Sequence, residues 1–305
     1  MRRVLIFVAA MAIGMSGACA QVIPTDHLPM VPWTQGIIGG GTLSCAQATT
    51  YLARTTGGNE GGNAANISNL ICGLVIDTVI TGNMSTTGCG TTLDVFNIYA
   101  QQNSADALLN LCGTNYTSVP QSSEAGNFTA FRGYGAFNIT GGNSLLTNFN
   151  STTATSPNYT QNSAIFGFWS VANGSLPANS SMGTGNTGLT GESNTYNAFT
   201  GNLFYCRVNQ GTSGSVPNPG TNGLYSCERT SSTNIFPYWD GSAQTAQTST
   251  SQAPLNANFV VGSGGTGTGT DQVIAEAHIG AALGATLNLA LYNRLRTYMT
   301  SVGVP

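Results

Sequence analysis

Apolar and polar positions alternate most clearly at the end of the chain, in Gln272–Pro305. Val273–Ile279 is apolar with one charge and predicts a strand. Leu287, Leu291, Leu295 and Met299 then recur every fourth residue and predict an amphipathic helix, with Asn293, Arg294, Arg296 and Thr297 left for solvent. The pattern between Cys45 and Cys112 is also helical. It predicts helices over Cys45–Arg54, from a cap at Asn63 through Ile67, Leu70, Ile71, Leu74, Val75 and Ile76, over Thr92–Gln101 with Asp94 in the first turn, and over Ala105–Leu111 after a Ser104 cap. Beyond Gly113 short apolar runs alternate with Gly, Ser, Asn and Thr, which is the texture of an all-β sandwich or barrel. The expected strands are Thr129–Tyr134, Ala164–Val171, Leu203–Val208, Leu224–Glu228, Ile235–Trp239, Asn258–Val261 and Val273–Ile279. Asp240-Gly241 predicts a two-residue hairpin turn, because both positions tolerate positive φ. Asn209–Gly223 is polar and rich in Gly and Pro, and is expected to be an exposed loop.

The start of the chain has another character. Arg2 and Arg3, the apolar run Val4–Ile13 and the small residues Ala18-Cys19-Ala20 read as a secretory signal over 1–20. Ser16-Gly17-Ala18 lacks the large aliphatic residue that a lipoprotein site through Cys19 would carry. Residues 21–43, with Pro24, Pro29 and Pro32, form an extended arm. The expected organisation is therefore signal 1–20, arm 21–43, helical segment 44–113 and β-sandwich 114–305 with its closing helix. No later run reaches the ~18 apolar residues of a membrane span.

Composition narrows the function classes. Only 6% of residues are charged, lysine is absent, and the net charge is −3. That balance argues against nucleic acid or an anionic membrane surface as partner. Hydrophobic residues make up 41%, so a core is available, and the 40 glycines sit among abundant Ser, Thr and Asn. With Cys19 removed, Cys45, Cys72, Cys89, Cys112, Cys206 and Cys227 remain, an even number that in an exported chain implies disulfides. Cys72–Cys89 closes the shortest loop between adjacent segments, and Cys206 and Cys227 lie on consecutive expected strands. Neither His27 nor His278 lies near a cysteine in sequence, and no CxxC occurs, which argues against a metal site.

A resemblance enters through particular residues. Asn162-Ser163-Ala164-Ile165-Phe166-Gly167-Phe168-Trp169 and Pro237-Tyr238-Trp239-Asp240-Gly241 resemble the early core strand and the hairpin of laminin-G-like, or concanavalin A-like, proteins. Thr50-Tyr51-Leu52-Ala53-Arg54-Thr55, Leu93-Asp94, Leu108-Leu109-Asn110-Leu111, Phe131-Arg132-Gly133-Tyr134 and Leu291-Tyr292-Asn293-Arg294-Leu295-Arg296-Thr297-Tyr298-Met299 resemble a poorly characterised bacterial and prophage-borne group of that kind. The resemblance implies a mainly β, antiparallel jelly-roll sandwich, preceded by a small bundle of short helices and closed by a C-terminal helix. Its superfamily hosts lectins, adhesion modules and glycosidases, so it implies no single activity. The chain departs from the group in its signal and its cysteines, which implies export by the general secretory route.

Candidate chemistry is sparse. Tyr238, Trp239 and Asp240 supply aromatic surface and a carboxylate at a turn, the ingredients of a sugar site, with calcium as an optional oxygen-held ion. Glu276 and His278, two apart on the last strand, share a face, and Glu276 would orient a basic His278. Glycoside hydrolysis needs a second carboxylate, and none is near in sequence, Asp271 lying only at the strand's start. The pair is therefore expected to be a solvent-facing polar pair on an edge or outer sheet. No Gly-x-Ser-x-Gly elbow supports a serine triad, and Gly262–Gly269 is expected to be a loop. Nine sequons, including Asn66, Asn83, Asn127, Asn138, Asn150 and Asn173, are what the composition alone produces. The expected function is a secreted, non-catalytic binder of glycans or a surface protein. A glycan-cleaving enzyme using Glu276, and a structural or adhesive phage-derived component, are the rivals. The oligomeric state is left open.

Overall fold

The computed structural model describes residues 42–56, 62–85, 88–121, 127–135, 137, 144–172, 180–185, 189–199, 202–211, 214–264 and 270–305. The expected signal, nearly all of the arm, Asn138, Asn173 and 265–269 lie outside them. Residues Thr42–Pro305 form one unit. In chain order it contains α1 (Ala46–Leu52), α2 (Gly62–Ile76), β1 (Leu93–Ile98), α3 (Ser104–Ala107), β2 (Val119–Pro120), β3 (Asn127–Thr129), β4 (Gly133–Gly135) and β5 (Leu145–Leu146). There follow β6 (Ala164–Ala172), β7 (Met182–Gly183), β8 (Asn194–Phe199), β9 (Leu203–Arg207), β10 (Gly214–Pro217), β11 (Gly223–Arg229) and β12 (Asn234–Trp239). The chain ends with β13 (Ser242–Ala243), β14 (Gln247–Thr248), β15 (Val260–Val261), β16 (Val273–Gly280) and α4 (Gly284–Ser301).

The described strands form two antiparallel sheets. The larger runs β13-β12-β11-β6-β16-β4-β3, with β1 also on β16 and β14 on β12; the smaller runs β10-β9-β8-β7-β15-β5-β2. Phe166, Phe168, Tyr225, Ile274 and Ala277 from one sheet meet Met182, Phe204, Val216 and Val261 from the other in a common core, which makes a β-sandwich. The opposite face of the larger sheet is also covered. Ile165, Trp169, Leu224 and Ala275 pack with Tyr51 of α1, Leu70, Ile71 and Leu74 of α2, and Leu291, Leu295 and Met299 of α4. Period-2 alternation therefore carries no solvent face in β6, which is buried at every position but its last.

The closing helix forms as its pattern predicts. Leu291, Leu295 and Met299 are fully buried, each worth roughly 1.5–3 kcal/mol, while Leu287 is only half-buried. Arg294, expected in solvent, instead reaches across α2 to Asp77, Nε to Oδ2 at 2.7 Å and Nη2 to Oδ1 at 3.1 Å. Gly73 makes room, since a Cβ there would lie 2.7 Å from the Arg294 Cδ.

Several expectations are corrected. Thr92–Gln101 is the strand β1, paired with β16, and not a helix. Its Val95, Phe96 and Ile98 are β-branched or aromatic and gain more from the sheet than from a short isolated helix. The helix after Ser104 shortens to α3, and Asn103 caps it by accepting from Asp106 N at 2.9 Å. Thr129–Tyr134 is not one strand but parts of the β3–β4 hairpin. Asn209–Gly223 is not wholly exposed: β10 lies within it, and Val216 is buried. The favoured Cys72–Cys89 bridge is replaced by Cys45–Cys72, which ties the start of α1 to α2, and Cys89–Cys112. Cys206–Cys227 does form, and it joins β9 to β11 across the two sheets rather than within one.

Candidate functional site

Asp240-Gly241 turns the β12–β13 hairpin with φ of 49° and 74°. That turn uses the chemistry nominated for sugar binding. The Asp240 Oδ1 accepts from Leu224 N at 2.9 Å, and burial pushes its carboxyl up. Tyr238 is buried on the helix side of the sheet. Trp239 is half-buried against the inter-sheet core, and its Nε1 donates to Asn222 O at 3.2 Å while its ring lies over Gly220. The three residues are neighbours; Asp240 and Trp239 bond to the chain beside the hairpin, and Tyr238 is buried.

Glu276 and His278 are not a surface pair. Both are fully buried, because α4 and α2 cover the sheet face that alternation assigns them. His278 Nδ1 lies 2.8 Å from Glu276 Oε1, and Nε2 lies 3.1 Å from Ser226 Oγ. A proton on Nδ1 would be donated to Glu276 and leave Nε2 to accept the Ser226 hydroxyl, and the other tautomer reverses the second bond. Three residues from two strands thus meet in the geometry of a serine triad. Ser226 is itself buried, however, and a nucleophile needs a path to substrate. A second carboxylate, Glu228, lies on the same face of β11. It accepts from Leu283 N at 3.0 Å, Gly284 N at 3.0 Å and Asn288 Nδ2 at 2.6 Å, and so caps α4 from outside the helix. These groups form a polar seam between sheet and helix. Asp271 is exposed at the entry to β16, and no group of three metal-binding side chains occurs among the described residues. No described helix is long and apolar enough to cross a membrane.

A cavity among the described residues lies elsewhere. A cleft of about 320 Å³ is walled by Gly88 and Gly90, by Asp94 and Asn110, by Cys112–Tyr116 and by Thr155–Asn158. Three chain segments distant in sequence converge there, and two devices fix them. The Cys89–Cys112 bridge joins the first two walls. Asp94 joins the third, accepting from Asn158 N and Tyr159 N at 2.8 Å each. Asn110 supports the floor by accepting from Phe96 N and Cys112 N and donating to Asp94 O and Asn115 O. Around the rim, Thr114, Asn115, Thr155 and Ser156 are exposed. Tyr116 is half-buried, edge-on to Phe149 with centroids 5.1 Å apart. Tyr116 and Ser156 are both non-glycine residues with positive φ, 59° and 50°. Such backbone costs about 1–3 kcal/mol per residue and clusters at binding sites. No binding motif marks these residues in sequence: Asp94 and Asn110 fall within segments that carry the family resemblance, and the apolar pattern predicts Asp94 in a helix turn.

Burial pushes the Asp94 carboxyl up to about 6, against the pull of the Asn158 and Tyr159 N–H groups. A raised carboxyl means the fold holds this proton more tightly than the unfolded chain does. The resulting stabilisation is complete below pH ~4 and is lost as pH rises through about 6. Burial raises Glu228 and Glu276 in the same direction. Asp94 alone should add roughly 1 kcal/mol at pH 5 relative to pH 7.5, about 2–4 °C in melting temperature. Calorimetry of the wild type and Asp94→Asn checks this; a gain on acidification that the variant keeps in full contradicts it.

No family model and no curated protein matches the chain. Among solved structures, a botulinum neurotoxin serotype D ligand-binding domain in complex with N-acetylneuraminic acid is similar at 13% identity, over 67% of this chain and 51% of that one, with a TM-score of 0.48. A Trypanosoma rangeli sialidase mutant displaying trans-sialidase activity is similar at 10% identity, over 76% of this chain and 39% of that one, with a TM-score of 0.49. Domain 4 of AbnA, a GH43 extracellular arabinanase of Geobacillus stearothermophilus in complex with arabinotriose, is similar at 12% identity, over 65% of this chain and 97% of that one, with a TM-score of 0.36. The chain thus spans about half the length of the toxin domain and about two fifths of the sialidase.

Proposed function

We propose that the chain is a secreted, non-catalytic glycan-binding protein whose site is the cleft around Tyr116 and Asp94. One observation carries this: the cleft gathers a half-buried tyrosine ring, a fixed carboxylate and a rim of hydroxyls and amides, with Tyr116 and Ser156 on strained left-handed backbone. A sugar ring offers an apolar face for the tyrosine and hydroxyls for the rim. The disulfide and the Asp94 clamp pre-form the walls, so little ordering free energy is lost on binding. Hydrolysis of a glycosidic bond uses a pair of carboxylates across the bond, whereas Asp94 alone lines the cleft. Glu276 and Glu228 are sealed beneath α4, which argues against the glycan-cleaving alternative that used Glu276.

Tyr116→Ala should lower retention on a glycan array about tenfold, the loss of ~1.4 kcal/mol expected for one aromatic contact. Trp239→Phe should leave retention within about twofold, and neither protein should release reducing ends. Retention that survives Tyr116→Ala but falls with Trp239→Phe would move the site to the hairpin.

A further inference from the structure

We infer that the cleft selects a single uncharged sugar ring and rejects acidic sugars, with Asp94 as the residue that sets this selectivity. The inference rests on the cleft being the glycan site. Its size is the first argument: about 320 Å³ lies at the bottom of the ~300–1,000 Å³ range of small-molecule sites, room for one ring and little more. Charge is the second. Among the described residues that line the cleft, Asp94 is the sole ionisable carboxylate, and none is Arg or His. The nearby cation, Arg54, lies behind the wall formed by Asn110–Gly113. Its Nη1 donates to Gly113 O, and its Nη2 donates to Asn110 O at 3.0 Å and Leu111 O at 3.2 Å. Both terminal nitrogens thereby donate to main-chain carbonyls of the wall, and Arg54 is not among the residues that line the cleft. An anionic ligand would meet the Asp94 charge in a partly desolvated cavity with no matching donor pair. A neutral ring instead brings hydroxyl donors to the carboxylate, the stronger class of hydrogen bond. The other titratable group facing Asp94 is Tyr116, whose hydroxyl is pushed up by burial and by Asp94 itself and so stays neutral.

The test is an array of matched glycans ending in a neutral sugar, the same sugar sialylated, and the same sugar sulfated, probed with the full chain at pH 7.5. The neutral ends should be retained at least tenfold better than either acidic partner. Asp94→Asn, which keeps one of the two oxygens that accept from Asn158 N and Tyr159 N, should bring that ratio to within about twofold of one, whereas Tyr116→Ala should weaken neutral and acidic ends alike. Should Asp94→Asn fail to fold, wild type at pH 5 takes its place, since the carboxyl is then largely protonated and the ratio should fall in the same way. Equal or better retention of acidic ends at pH 7.5 overturns the selectivity while leaving glycan binding intact. No retention of any glycan overturns both.

Discussion

Replacing Gly167 by alanine is expected to destabilise the sandwich by at least about 3 kcal/mol, the upper range of overpacking costs and a large share of a typical domain's 5–15 kcal/mol. Gly167 lies on β6 with Ser226 of β11 and His278 of β16 directly across on either side. Strands two apart in a sheet are separated by about 9.5 Å, so side chains on them meet over the middle strand only if that strand offers no side chain there. The His278–Ser226 hydrogen bond of 3.1 Å depends on that gap. A Cβ at 167 would lie 2.3 Å from Tyr225 O, 2.5 Å from His278 Cε1 and 2.7 Å from Ser226 Oγ. The first is backbone in a central strand, and the other two belong to a buried network with no slack. Gly303→Ala is the comparison: φ is 80° there but nothing lies within 4 Å of the added carbon, so only the conformational cost of roughly 1–2 kcal/mol applies. Denaturant midpoints that rank the two variants in the opposite order would contradict the steric account.

Glu228→Ala is expected to cost roughly 3 kcal/mol and to loosen α4 first. The helix begins at Gly284, its N-cap residue Leu283 supplies no side-chain cap, and the Glu228 carboxylate takes the N–H groups of Leu283 and Gly284 together with the Asn288 amide. Removing it takes the acceptor from the buried Leu283 N–H, the part-buried Gly284 N–H and one N–H of the Asn288 amide, which keeps its bond to Gly284 O, at about 1–3 kcal/mol for each donor left unpaired, partly offset by relief of a desolvated carboxylate. Glu228→Gln, which keeps one acceptor oxygen, should fall between the alanine variant and the wild type. Hydrogen exchange should quicken in Gly284–Asn288 of Glu228→Ala before it does in β6. Uniform exchange across both would show that the carboxylate is not a local cap.

Much of the architecture is legible in the chain, and the misses share a physical cause. The stripe Leu291, Leu295 and Met299, the runs that became β6, β11 and β12, and the Asp240-Gly241 turn are local patterns, and local patterns suffice for them. Leu93–Ile98 has apolar positions compatible with either a helix or a strand. What decides between them is β16, far along the chain. Asn194–Phe199 and Gly214–Pro217 are too polar to announce themselves, and they exist because β9 pairs with both. For Glu276 and His278 the even spacing correctly placed both on one face. Their burial is not legible in the strand, because a covering helix layer is a property of the fold. The cleft is the extreme case. Its walls come from residues 88–94, 110–116 and 155–158, and no window of sequence contains more than one of them.

Photo-crosslinking tests the central claim most directly. A neutral glycan bearing a diazirine, selected from the array, is irradiated with the full chain and the labelled peptides are identified by mass spectrometry. Labels should fall on residues 110–116 and 155–158, disappear with excess free glycan, and fall about tenfold in Tyr116→Ala. Labels concentrated on residues 237–243, or a pattern that Tyr116→Ala leaves unchanged, would contradict the assignment of the cleft as the glycan site.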